Sequence, residues 1–276
     1  MRTAALHHLT VRTVAPAQLP AIAAAAGFRE VCLFTHVPAV TLTGSGGASA
    51  PFPLVTAQNA PAVAAALREH GVGVINCEYF PVSATVPVGN YRDALALGAQ
   101  LGARRAVTHI HDTDSSRAVD RLGQLADLAA EYGLGLGLEF MGLSPACNSI
   151  ARAAWYARQV GRANLGIAID ALHLIRTGGS PDDVRALPGE LIAYAQLCDG
   201  ASLRPARDYR GEALDRLMPG GGIFPLVEIV RALPLTTDLD IEVPCAAESD
   251  ALAPLDRACT AQDAARRLFM QAAQPS

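Results

Sequence analysis

Leu165-Gly-Ile-Ala-Ile-Asp170-Ala-Leu-His173 is the stretch whose reading decides the fold of this chain. Its apolar run shows no polar alternation, the pattern of a strand buried on both faces in a parallel sheet. The run stops on a carboxylate, and a histidine follows three residues later. Parallel-sheet proteins carry their sites at the C-terminal strand ends, where side chains leave the core and meet the loops. Two further runs stop in the same way, Leu134-Gly-Leu-Gly-Leu-Glu139 and Leu239-Asp-Ile-Glu242. A fourth, Leu191-Ile-Ala-Tyr-Ala-Gln196, stops on a neutral oxygen donor.

Outward from this stretch, strands and helices alternate in both directions. Toward the N-terminus the pattern predicts strands at Leu6–Val11, Val31–Thr35, Val72–Glu78 and Arg105–Ile110. Helices are expected over Pro16–Gly27, Ala57–His70, Asn90–Leu101 and Ser115–Tyr132. Asn148–Val160 reads as the helix before the opening stretch, and Ser180 with Pro181 as the start of a short one after it, by N-cap and first-turn chemistry. A seventh strand, Leu191–Cys198, precedes a polar, Arg-rich loop over 199–222. Helices over Phe224–Leu233 and Pro254–Gln271 flank the strand that ends at Glu242. Eight β-α units without a composition break predict an α/β (β/α)8 barrel, one domain over residues 1–276. A doubly wound open sheet is the rival. The glycines of Gly133-Leu-Gly-Leu-Gly137 lie within a strand rather than between strand and helix, so they make no dinucleotide fingerprint. The Gly-, Ser- and Pro-rich segment 36–53 is too long for an ordinary turn and reads as a lid.

Composition narrows the function. All 22 basic residues are arginine, so chemistry that requires lysine is excluded: a Schiff-base aldolase, a pyridoxal phosphate enzyme, a Walker-type phosphate loop. A net charge of −4 argues against nucleic acid as the main partner. No segment approaches the roughly 20 uninterrupted apolar residues of a membrane span. The opening residues are too polar for a signal-peptide core, and the six cysteines are dispersed without a CxxC pair. Both point to a cytoplasmic protein with reduced, packing cysteines, Cys198 and Cys245 among them.

Glu139, Asp170, Gln196 and Glu242 would converge on the barrel mouth. All donate oxygen, a hard set that suits Mn²⁺ or Mg²⁺, with Co²⁺ and Zn²⁺ as alternatives. His173, one turn past Asp170, is the expected acid/base; a capping or surface role is the plainer alternative. His109 and His111 share a face at the end of strand four, and His109 is expected to hydrogen-bond substrate rather than hold a second metal. Glu78, ending strand three, reads as a pocket carboxylate on the substrate side. The faces taken by His7, His8 and His36 are left open. Arg204, Arg207 and Arg210 read as a solvated face.

The segments GLEFM, IAIDALHL, YAQLCDG, RLMPGGG and DIEVP resemble, in order and spacing, the sugar phosphate isomerase/epimerase family of xylose isomerase-like barrels. The likeness covers strands five to eight well and the first four in outline. It implies that Glu139, Asp170, the strand-seven residue and Glu242 bind a divalent metal, that Arg216 binds substrate, and that Glu139 and Glu242 serve as bases in an isomerase. Gln196 departs from it, standing where the epimerases have histidine; glutamine there is similar to the bacterial 3-dehydroshikimate dehydratases, whose catalytic histidine corresponds to His173. Gly221 stands where many relatives carry Glu, which puts that side chain's role in doubt. The resemblance implies an enzyme that enolises a small polyhydroxylated or hydroxy-keto substrate, anionic in the dehydratase case, and often a homodimer. A zinc-type DNA-repair nuclease on the same barrel is disfavoured by the acid-rich ligand set, and a barrel that only binds a ligand is the remaining alternative.

Overall fold

The computed structural model describes residues 2–37, 52–204, 207–245 and 252–274. Segment 38–51, most of the expected lid, lies outside the described residues. Eight parallel strands close in sequence order: β1 (Ala5–His7), β2 (Glu30–Phe34), β3 (Gly73–Glu78), β4 (Arg105–Thr108), β5 (Gly135–Glu139), β6 (Leu165–Asp170), β7 (Ile192–Leu197) and β8 (Asp238–Ile241). β8 pairs back onto β1, which completes the barrel and excludes the open sheet. Every residue of β6 is buried, as its unbroken apolar run requires.

Around the strands lie α1 (Leu19–Ala26), α2 (Ala60–His70), α3 (Arg92–Gln100), α4 (Ser115–Glu131), α5 (Ile150–Val160), α6 (Ala171–Arg176), α7 (Pro181–Arg185), α8 (Tyr209–Ala213), α9 (Leu226–Ala232) and α10 (Pro254–Ala273). Their ends follow local chemistry. Gly27 and Gly71 stop α1 and α2 at left-handed φ of 90° and 62°, conformations that disfavour any side chain. Ser180 opens α7 with a reciprocal capping box to Asp183. None of the helices among the described residues is long and apolar enough to cross a membrane.

Two elements depart from the sequence reading. The first strand ends at His7, not Val11, and His8–Val11 forms a 3-10 turn. The His7 ring accepts the Leu9 amide at 3.2 Å, and Thr10 donates to the Ile241 carbonyl at 2.7 Å, which folds the chain over β8. The loop after β7 contains α8, which five residues are too few to announce by periodicity. Asp208 caps it, and Arg176 pairs with Glu212 inside it.

Alternate residues of a strand share a face, so the barrel interior is built in layers. The upper layer comes from His7, Phe34, Glu78, His109, Glu139, Asp170, Gln196 and Glu242 at or just past the strand ends. Two residues earlier on each strand the side chains are mostly small, among them Ala5, Gly137 and Ala168. Tyr194 fills the space this leaves: a Cβ on Gly137 would sit 2.8 Å from its ring. A polar mouth thus rests on a tightly packed floor.

Candidate active site

β6 sets the geometry. Asp170 is both the last residue of the strand and the N-cap of α6, its Oδ1 accepting the His173 amide at 2.9 Å. An Asp-x-x-His spacing therefore places the histidine over the mouth, because N-cap and third helical residue meet in one hydrogen bond. His173 Nε2 stands 3.3 Å from Glu139 Oε1, and ligand atoms of Glu139, Asp170 and His173 all lie within 4.8 Å of one another. The other ring nitrogen, Nδ1, bonds the Tyr209 hydroxyl, which also accepts the Gly142 amide at 3.1 Å. Tyr209 escaped the sequence reading because it belongs to α8, which is anchored by the half-buried Arg176–Glu212 pair.

β7 and β8 complete the set. Gln196 Nε2 donates to Glu242 Oε2 at 2.9 Å, and its Oε1 accepts from the Tyr194 hydroxyl at 3.3 Å. Arg216, expected on the substrate side, instead lies buried between two of the strand-end carboxylates. Its Nη1 reaches Asp170 Oδ2 at 2.6 Å and Glu242 Oε2 at 3.1 Å, while Nε donates to the Ala213 carbonyl at 3.0 Å. On the other flank His109 Nε2 meets Glu139 Oε2 at 2.7 Å. Glu78 meets His7 at 3.0 Å, and that ring is 3.9 Å from Glu242. Of the three histidines left open, His7 therefore reaches the mouth. His8 turns to the Val14 carbonyl and His36 to the Tyr79 carbonyl. His111 approaches His109 with ring centroids 6.2 Å apart. Arg204, Arg207 and Arg210 are exposed, and Cys198 and Cys245 are buried thiols. A groove of about 630 Å³ between α2 and α3 opens elsewhere and is lined mainly by apolar residues such as Ala60, Ala64 and Leu97.

Charge at the mouth is unbalanced toward the negative. Burial raises Glu139 to about 7 and Glu242 to about 8, with neighbouring carboxylates adding to the effect and Arg216 opposing it. Burial alone would raise Asp170 too, but Arg216 and the His173 amide hold it well below the usual range. Burial lowers His173, against the pull of Asp170 and Glu139, and drops His109 to about 4. The His109–Glu139 contact is therefore a neutral imidazole donating to a carboxylate above pH 7, rather than an ion pair. Burial would lower His7 as well, yet Glu78 and Glu242 carry it to about 10. One arginine against Glu139, Asp170 and Glu242 leaves room for a divalent cation: the donors are hard, buried and short of positive charge.

This imbalance gives a testable pH dependence. Carboxyl groups raised in the fold are protonated there and ionised in the unfolded chain between about pH 4.5 and 8. Their contribution to stability is complete below the unfolded value and is lost as pH rises through 7 and then 8. Raised His7 acts in the same direction up to about 10. Protein stripped by a chelator should melt at lower temperature at pH 9 than at pH 6, and added Mn²⁺ should restore more at the higher pH. Melting curves that are flat with pH and indifferent to Mn²⁺ would refute this electrostatic picture.

Known proteins share this fold. Residues 20–268 match the family model described as xylose isomerase-like TIM barrel. Over 107 residues the chain is 35% identical to a 3-dehydroshikimate dehydratase of Pseudomonas aeruginosa, covering 39% of this chain and 17% of that protein. Over 111 residues it is 32% identical to an inosose isomerase of Bacillus licheniformis, covering 40% and 38%. The chain thus spans well under half the length of either relative. Among solved structures, a xylose isomerase domain protein from Alicyclobacillus acidocaldarius superposes with a TM-score of 0.79 at 22% identity, covering 99% and 100% of the two chains. IolI, whose structure holds a zinc atom, superposes at 0.77 with 17% identity, covering 98% of each. Matched over nearly its whole length, the chain belongs to the xylose isomerase-like TIM barrel family.

Proposed function

We propose that this chain is a divalent-metal-dependent enzyme that removes a proton beside a carbonyl of a small polyhydroxylated or cyclic hydroxy-keto substrate. The carrying observation is His173, a neutral buried imidazole whose Nε2 faces Glu139 across a mouth of strand-end carboxylates. Glu139, Asp170, Gln196 and Glu242 are the proposed holders of the cation, Mn²⁺ or Mg²⁺ by their hard oxygen donors. A cation held there supplies polarisation of a substrate carbonyl or hydroxyl, which acidifies the neighbouring C–H.

The protein's own groups then handle the proton. With its proton on Nδ1 and donated to the Tyr209 oxygen, His173 takes the substrate proton at Nε2. The resulting imidazolium donates from Nε2 to Glu139 and from Nδ1 to Tyr209. Nδ1 keeps its proton throughout, so the Tyr209 oxygen accepts it before and after the transfer and holds the ring in place. His109 and Glu78, on the opposite flank, are the proposed binders of substrate hydroxyls. Arg216 acts in this reading by holding Asp170 and Glu242 rather than by gripping substrate.

An isomerase returns the proton to a different carbon, whereas a dehydratase instead expels hydroxide from the next carbon, and the abstracted proton leaves with it as water. Gln196 favours the dehydratase as the second, more specific reading, since it resembles the residue those enzymes carry at the end of strand seven. Supplying Mn²⁺-loaded protein with 3-dehydroshikimate and, separately, with inosose distinguishes them. A dehydratase generates an aromatic acid with new near-ultraviolet absorbance; an isomerase converts inosose without it. Inertness toward these and a panel of ketoses, with metal bound, counts against both.

Gln196 also gives a prediction about the cation. In Gln196→His an imidazole nitrogen replaces an amide oxygen, so competition between Zn²⁺ and Mg²⁺ should move toward Zn²⁺ by about tenfold or more. An unchanged preference would place Gln196 outside the ligand set.

A further inference from the structure

One layer beneath the mouth, β2 and β8 bring together Cys32 and Asp240, groups that the proposed reaction does not use, with Glu78 of β3 reaching them from the layer above. Asp240 lies two residues before Glu242 on β8, and Cys32 lies on β2 beside Asn76 of β3. Cys32 Sγ is 3.2 Å from Asp240 Oδ2. Ligand atoms of Cys32, Glu78 and Asp240 all fall within 4.8 Å of one another. All three residues are buried, Asp240 and Cys32 completely and Glu78 to within 5%.

We propose that Cys32, Glu78 and Asp240 form a second cation site, inside the barrel and below the mouth, suited to a thiophilic divalent ion such as Zn²⁺. The second observation that points to a ligand is a pair of orphaned atoms. Among the described residues, Glu78 Oε1 and Asp240 Oδ1 are buried without a hydrogen-bond partner. An unsatisfied buried acceptor is costly, the more so when charged, and a cation answers both at once. The surroundings suit a metal thiolate as well. Asn76 Nδ2 approaches Cys32 Sγ at 3.8 Å, an N–H···S contact of the kind that steadies a metal-bound sulfur. Arg105 fixes that amide by donating to Asn76 Oδ1 at 3.1 Å, and is itself held by Asp238. One thiolate and two carboxylates select against Mg²⁺, which avoids sulfur, and toward Zn²⁺ or Co²⁺. Glu78 joins the two layers, since its Oε2 meets His7 at the mouth.

The site shares Glu78 with the mouth but none of the proposed mouth ligands, so the two ideas fail separately. Chelator-treated protein is reloaded with Co²⁺, and bound cobalt is counted by elemental analysis while the near-ultraviolet thiolate-to-cobalt charge-transfer band is recorded. The mouth set contains only oxygen and nitrogen donors, so that band reports the inner site. Expected are about two cobalt ions per chain and a clear band. Cys32→Ser should lose the band and one ion, whereas Asp170→Asn should keep the band and lose the other. A single ion without a band in the unaltered protein, or a band that persists in folded Cys32→Ser, overturns the proposal. The unaltered protein alone decides the matter if the variant does not fold.

Discussion

Replacing His173 by alanine is expected to slow turnover by roughly 10²–10⁴-fold, the usual contribution of a positioned acid/base, while cation content stays unchanged. The two ring nitrogens of His173 have distinct partners, Glu139 on one side and the Tyr209 hydroxyl on the other. Alanine removes the proton acceptor but spares the hydrogen bond from the residue-173 amide to Asp170, so α6 and the strand end keep their geometry. Tyr209→Phe separates the acid/base role from simple packing. It should shift the pH profile of turnover and lower the rate less than His173→Ala, because only the orientation of the ring is lost. Full activity in His173→Ala would remove the histidine from the mechanism and leave Glu139 and Glu242 as the bases.

Asp170→Asn is expected to lower cation content and turnover together, the latter by about 10²–10⁴-fold. This corresponds to the several kcal/mol a metal supplies in charge stabilisation, at about 1.4 kcal/mol per factor of ten. Asparagine is as good an N-cap as aspartate, so the helix start survives and the loss is one of charge. Arg216 then has Glu242 as its remaining carboxylate partner at the mouth, which leaves the donor set less negative. Full cation occupancy and turnover in this variant would show that the strand-end set is misassigned.

The barrel and the strand-end residues were legible because they depend on local pattern. An apolar run that stops on Asp170 states both a strand and a carboxylate at the barrel mouth, and the structure adds that Asp170 caps the helix carrying His173. What the sequence concealed depends on contacts between distant segments. Tyr209 reaches His173 from a five-residue helix anchored by Arg176 and Glu212, 36 residues apart. Arg216 reads equally as a substrate fork or as a bridge between carboxylates; only the closure of β6 against β7 and β8 places it between Asp170 and Glu242. Cys32 and Asp240 meet across 208 residues and look like an ordinary core thiol and a strand-interior acid. His7 was ambiguous for a related reason: its ring ends the strand by capping the next turn and simultaneously faces Glu78.

Proton exchange with solvent tests the central claim most directly. Mn²⁺-loaded protein is incubated in heavy water with inosose or 3-dehydroshikimate, and recovered substrate and product are analysed by proton magnetic resonance and mass spectrometry. Abstraction beside the carbonyl by His173 should place deuterium at that carbon in recovered substrate and at the former carbonyl carbon in an isomerised product, at a rate reduced at least about 10²-fold in His173→Ala. Turnover that leaves every carbon-bound hydrogen in place would contradict enolisation at this mouth.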